Sequence, residues 1–107
     1  MSQAQTDRKS SWTFLTNHSH VLVCIARDPM IRTRELAARV EITERSVQRI
    51  IADLVGGGYL SRERVGRRNR YVVNPRLHLR HPIEARCYVG DLLAFVGDAR
   101  TGLSIEI

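Results

Sequence analysis

The chain is 107 residues long, with 43% apolar residues, 26% charged residues and a formal net charge of +6. That length suits one domain of roughly 100–150 residues and excludes a barrel or a dinucleotide-binding sheet with its own substrate domain. The balance is globular, and no apolar run approaches the roughly 18 residues that a membrane span needs.

One of the 17 basic residues is a lysine, Lys9, and the other 16 are arginines. Codon bias is enough to produce that ratio, but it has a physical consequence. Arginine forks bind phosphates bidentately and read guanine edges, whereas lysine acts as a point charge. A pI near 10.3 points to a polyanionic partner. Cys24 and Cys87 sit in apolar, helix-like patterns without metal-ligand or redox spacing, so a reducing cytoplasm is expected. Met1–Ser10 has no apolar core and does not read as a secretory signal.

Residues 1–11 read as a flexible polar tail. Apolar periodicity begins at Trp12 and runs through Phe14, Leu15, His18, Val21, Leu22, Ile25 and Ala26, the pattern of an amphipathic helix that Asp28-Pro29 ends. A short helix starts at Thr33, with Leu36, Ala37 and Val40 inward. After Glu41-Ile42, Thr43 caps a third helix whose Val47, Ile50, Ile51 and Leu54 recur at i, i+3, i+4 and i+7. Gly56-Gly57-Gly58 stops it. Tyr59–Val65 and Arg70–Val73 then read as strands around a basic tip, Gly66–Asn69. From Pro82 to Val96 a fourth helix is expected, apolar on nearly every side, and residues 99–107 form a tail.

This order of elements resembles a winged helix-turn-helix domain and is similar to the MarR-like and ArsR-like bacterial transcription regulators. The residues that carry the resemblance are Thr33–Arg39, Ile42–Leu54, Gly58-Tyr59-Leu60 and Arg62–Tyr71. The fold expected is mainly α with a small β-hairpin: a winged helix-turn-helix over 12–80, with an added C-terminal dimerisation helix over 81–98. Ala37 suits a steep helix crossing. Glu41 departs from the pattern, because this turn position is often glycine; a left-handed glutamate costs about 1 kcal/mol.

With Val47–Leu54 inward, the third helix presents Thr43, Arg45, Ser46, Gln48 and Arg49. These residue types read base edges in a major groove. The expected wing contacts are Arg62, Arg64, Arg67, Arg68, Asn69 and Arg70, aimed at the phosphate backbone or a minor groove. Thr33 and Arg34 add a backbone contact at the start of the second helix. Between Ile31 and Arg80 there are twelve arginines against five acids, a net of +7 that holds the excess charge of the whole chain. Val89, Leu92, Leu93 and Val96 are the expected dimer interface.

Other chemistry has little support. His18 and His20 lie two apart on a helix and do not share a face, and His78 and His81 precede a proline in a connector. The three glycines follow a helix instead of opening one, so they form no phosphate cradle. No catalytic residue, metal or cofactor is expected. The reading is therefore a cytoplasmic homodimeric regulator, a repressor, that binds double-stranded DNA, with no membrane partner. Its competitor is a winged-helix interaction module for protein partners or structured RNA. A dense basic helix and wing favour DNA.

Overall fold

The computed structural model describes residues 12–97. They form α1 (Asn17–Arg27), α2 (Thr33–Val40), α3 (Glu44–Gly56), β1 (Leu60–Val65), β2 (Arg68–Val73), a 3-10 turn (Pro82–Glu84) and α4 (Val89–Gly97). The result is a small, mostly helical domain with one antiparallel hairpin. The tails expected over 1–11 and 99–107 lie outside the described residues.

α1 is the central element and packs against α2, α3, β2 and α4. Its Val21, Leu22 and Ile25 join Ile31, Leu36, Val47, Ile51, Leu54, Leu60 and Tyr71 in one buried cluster. α1 starts later than its apolar pattern suggests. Thr16 is the N-cap and its hydroxyl accepts from the Ser19 amide, so Trp12 and Phe14 precede the helix, exposed and packed edge to face. Asp28 ends α1 as expected.

α2 and α3 are joined by three residues. Glu41 is left-handed, at φ 66° and ψ 46°, and both its amide and that of Ile42 donate to the Ala37 carbonyl. Thr43 then caps α3 by accepting from the Ser46 amide at 3.0 Å. All four inward residues expected of α3 are buried.

The end of α3 is a Schellman arrangement. The Tyr59 amide donates to the Leu54 carbonyl and the Gly58 amide to the Val55 carbonyl, with Gly58 at φ 85°. Of the three glycines, Gly58 alone needs positive φ; Gly56 is helical, with open space around it. The hairpin pairs Leu60 with Val73 through to Val65 with Arg68, so its turn is only Gly66-Arg67. Gly66 is at φ 65°, where a tight hairpin wants glycine at its first central position. Arg68 and Asn69, expected at the tip, are therefore strand residues.

The C-terminal part differs most from expectation. Pro82 opens a single 3-10 turn, capped by the His81 ring nitrogen, and not a long helix. Residues 87–89 then run antiparallel to the connector. The Leu79 amide donates to the Cys87 carbonyl and the Val89 amide to the Leu77 carbonyl. Backbone groups committed to that bridge cannot also build a helix. α4 starts only at Val89, where Asp91 accepts from the Tyr88 amide at 2.8 Å and holds the first turn as a capping carboxylate does. Cys87 is consequently an exposed loop residue and not a helical one. Val89, at the start of α4, lies in the common core.

The glycine geometry makes a paired prediction. Gly58→Ala forces a side chain into a left-handed conformation and should lower unfolding free energy by about 1 kcal/mol. Gly56→Ala, in open helical space, should raise it by up to about 1 kcal/mol. Urea denaturation of both variants checks the opposite signs.

Candidate nucleic-acid interface

Three surfaces carry the expected contact residues. On α3, Arg45, Gln48 and Arg49 are exposed and make no hydrogen bond or ion pair among the described residues. The two hydroxyls expected beside them are engaged with each other: Thr43 Oγ1 donates to Ser46 Oγ at 3.0 Å, and Ser46 is half-buried. They fix the start of α3 instead of standing free. Further along, Asp53 meets His18 Nε2 at 2.9 Å, tying the outer flank of α3 to α1.

The hairpin arginines divide into two groups. Arg62, Arg64 and Arg67 are exposed and without a partner among the described residues. Arg70 pairs with Glu63 directly across the ladder at 3.6 Å. Arg68 is half-buried and its Nη2 donates to the Met30 carbonyl at 2.9 Å. Asn69 is half-buried opposite Arg64. Together with the Tyr71 amide, which donates to the Pro29 carbonyl, Arg68 ties β2 to the α1–α2 loop. The sequence shows five arginines in nine residues and cannot show which of them is structural.

The third surface is the start of α2. Its N-cap, Arg32, has no acceptor to offer the first-turn amides, so the positive end of α2 stays open. Thr33 is half-buried there and Arg34 is exposed. Glu35 turns back to accept from the Arg32 amide at 2.9 Å. That bond, more than the arginine charges around it, holds its carboxyl below the usual value. Its folded pKa being depressed, the small stabilisation it lends α2 is present at neutral pH and fades as pH falls through the carboxylate range. The open helix end faces a concavity of about 240 Å³ lined by Arg32, Thr33, Arg67 and Arg68. Arg68 Nε is buried and has no hydrogen-bond partner among the described residues.

No known family model matches this chain, and no curated protein sequence matches it. Among the described residues, no group of three or more His, Cys, Asp or Glu side chains could hold a metal ion, and no helix is long and apolar enough to cross a membrane.

The dimer residues also divide. Val89 is 1% exposed in the single chain and is not free for a partner, whereas Leu93 is half-buried and packs partly on the same core. Leu92 and Val96 are half-buried. Among the described large apolar side chains of α4, Phe95 is the fully exposed one, at 78%. The late start of the helix shifts which of its faces the core uses.

The two turn-flanking arginines should behave differently. Arg68→Ala removes a charge-assisted bond and should cost about 1–3 kcal/mol, with faster hydrogen exchange at the Tyr71 amide. Arg67→Ala should change neither. Amide exchange followed by NMR, with denaturation of both variants, reads the difference.

Proposed function

We propose that this protein is a winged-helix regulator that binds double-stranded DNA in a sequence-specific way and represses through occupancy of its site. The observation that carries the reading is the division of its charges. Arg45, Gln48, Arg49, Arg62, Arg64 and Arg67 stand free among the described residues, whereas Glu35, Glu63 and Asp53 are each engaged and Glu41 has its own interaction. Glu44, exposed beside Arg45, is the acid of this segment that is also unpaired among the described residues, and it leaves the free arginines in excess.

In this reading α3 enters the major groove. Arg49 and Arg45 donate to guanine edges, and Gln48 bonds adenine bidentately. The hairpin is the wing, and Arg62, Arg64 and Arg67 lie along phosphates or an adjacent minor groove. The open end of α2 takes a backbone phosphate. Arg68, bonded to the Met30 carbonyl, holds the wing against the α1–α2 loop and is not a wing-tip contact. Two copies associate through Phe95 with Leu92 and Val96, which places two reading helices on a pseudo-palindromic site.

Binding to duplex DNA should be steeply salt-dependent: about 6–10 phosphate contacts per dimer predict a loss of roughly 10³–10⁵ in affinity between about 50 and 200 mM salt. Arg49→Ala and Gln48→Ala should cost about 1–3 kcal/mol on a selected site and relax its base preference. Arg67→Ala should weaken selected and random duplexes alike. Selection from random duplexes, then titration at several salt concentrations, checks all three. A flat salt response, or tighter binding to structured RNA than to any selected duplex, refutes the reading.

Phe95→Glu probes assembly. Phe95 is already exposed in the single chain, so the fold should survive, as circular dichroism would show. A carboxylate buried without a partner at the interface costs several kcal/mol, so the dimer should dissociate. The reading heads, roughly 34 Å apart along the duplex, would no longer bind together. Sedimentation gives the answer, and a wild type that is monomeric at micromolar concentration refutes the dimer.

A further inference from the structure

Another concavity lies off the basic surface. It is a cleft of about 670 Å³ between α1, the C-terminal turn of α3, the connector and α4. That volume lies within the range of small-molecule sites, roughly 300–1,000 Å³. Leu22, Leu54, Leu79, Val89 and Leu92 give it an apolar lining.

Its polar groups select a sign of charge. The last turn of α3 forms one wall, and a helix C-terminus carries a partial negative charge. That turn has no basic residue of its own. Asp53 and Glu84 add two carboxylates, and Glu84 makes no side-chain hydrogen bond or ion pair among the described residues. His18 is held by Asp53. The one guanidinium, that of Arg80, lies at the end of α3, its Nη1 about 3.4 Å from where a Cβ on Gly57 would stand. It offsets the helix terminus and leaves Glu84 unmatched. The concavity beside α2, by contrast, is lined by arginines with no acid among them. In a chain of net charge +6, a cleft in which carboxylates outnumber guanidinium groups is the exception.

We propose that this cleft binds a small organic cation with an apolar body, an amine or quaternary ammonium on a ring or short chain. The body covers the leucines and the cation faces Glu84. Because α3 also presents Arg45, Gln48 and Arg49, occupancy changes DNA affinity; this second clause rests on the function proposed above, whereas binding itself does not.

The test uses the full chain, with benzyltrimethylammonium as probe and benzoate as its anionic counterpart of similar size. Amide NMR titration should show saturable shifts at Leu22, Asp53, Gly57 and Val89 with the cation and none with benzoate. Glu84→Gln, at an exposed position, should keep the fold and weaken the cation about tenfold, the loss of one charge-assisted contact. Preferential binding of benzoate, shifts scattered outside the cleft, or an unchanged Glu84→Gln variant would overturn the site. Cation binding that leaves the affinity for a selected duplex unchanged would overturn the coupling. A chain that binds the cation and no duplex keeps the site and refutes the proposed function.

Discussion

One carbonyl sets the geometry of the domain. The Ala37 oxygen accepts from both Glu41 and Ile42, which turns the chain within three residues and fixes how α3 leaves α2. The arrangement needs a left-handed residue at position 41, which costs a glutamate about 1 kcal/mol. It also needs a small side chain at position 37, where a larger one would overpack a buried contact. With that turn set, Val47, Ile50, Ile51 and Leu54 meet the core and Arg45, Gln48 and Arg49 face solvent, because the two sets lie on opposite sides of one helix. The outward chemistry of α3 is therefore a consequence of its inward packing.

The hairpin depends on a second attachment of a different kind. A two-stranded ribbon has little stability by itself in water. Here Leu60 and Tyr71 reach the core, the Tyr71 amide bonds the Pro29 carbonyl, and Arg68 bonds the Met30 carbonyl. The α1–α2 loop thus acts as a short third edge for β2. Arg70 is balanced by Glu63 across the ladder, an exposed pair worth little to stability that removes one cation from the outer surface. The charge left for a partner is smaller than the arginine count suggests, and it is better placed, since Arg67 sits at a two-residue turn beside the open end of α2.

The helices and the hairpin were legible in the sequence because their signals are local. Periodicity located the inner face of α3, Thr43 and the run Gly56-Gly57-Gly58 marked its ends to within a residue, and Asp28-Pro29 ended α1. The helix proposed to read DNA could be placed on the same grounds, and Arg45, Gln48 and Arg49 are exposed as its pattern requires. What failed depended on distant contacts. Pro82 looks like a helix start, yet the chain after it pairs with residues 77–79, and no local propensity reports a bridge between two connectors. A cue was present at Asp91, three residues after Tyr88, but Pro82 was the stronger signal. The role of Arg68 is set by a carbonyl 38 residues away, and the burial of Val89 by helices that precede it. The cleft draws on four segments and has no sequence pattern of its own.

α3 is where these surfaces meet. At 13 residues it is roughly 20 Å long, and its buried face packs on α1, α2 and β1. Its first turns carry the free donors and its last turn is a wall of the cleft. A packed helix shifts as a body more readily than it bends, since bending breaks its hydrogen bonds while a small shift only repacks side chains. The Schellman end at Gly58 passes directly to Leu60 of β1, so a shift of α3 also moves the base of the hairpin. On the coupling proposed above, both basic surfaces would respond to occupancy of the cleft. Asp53 lines it and is tied to His18 on α1, the element that every other helix touches, so a ligand there would act on the helix and on its support together.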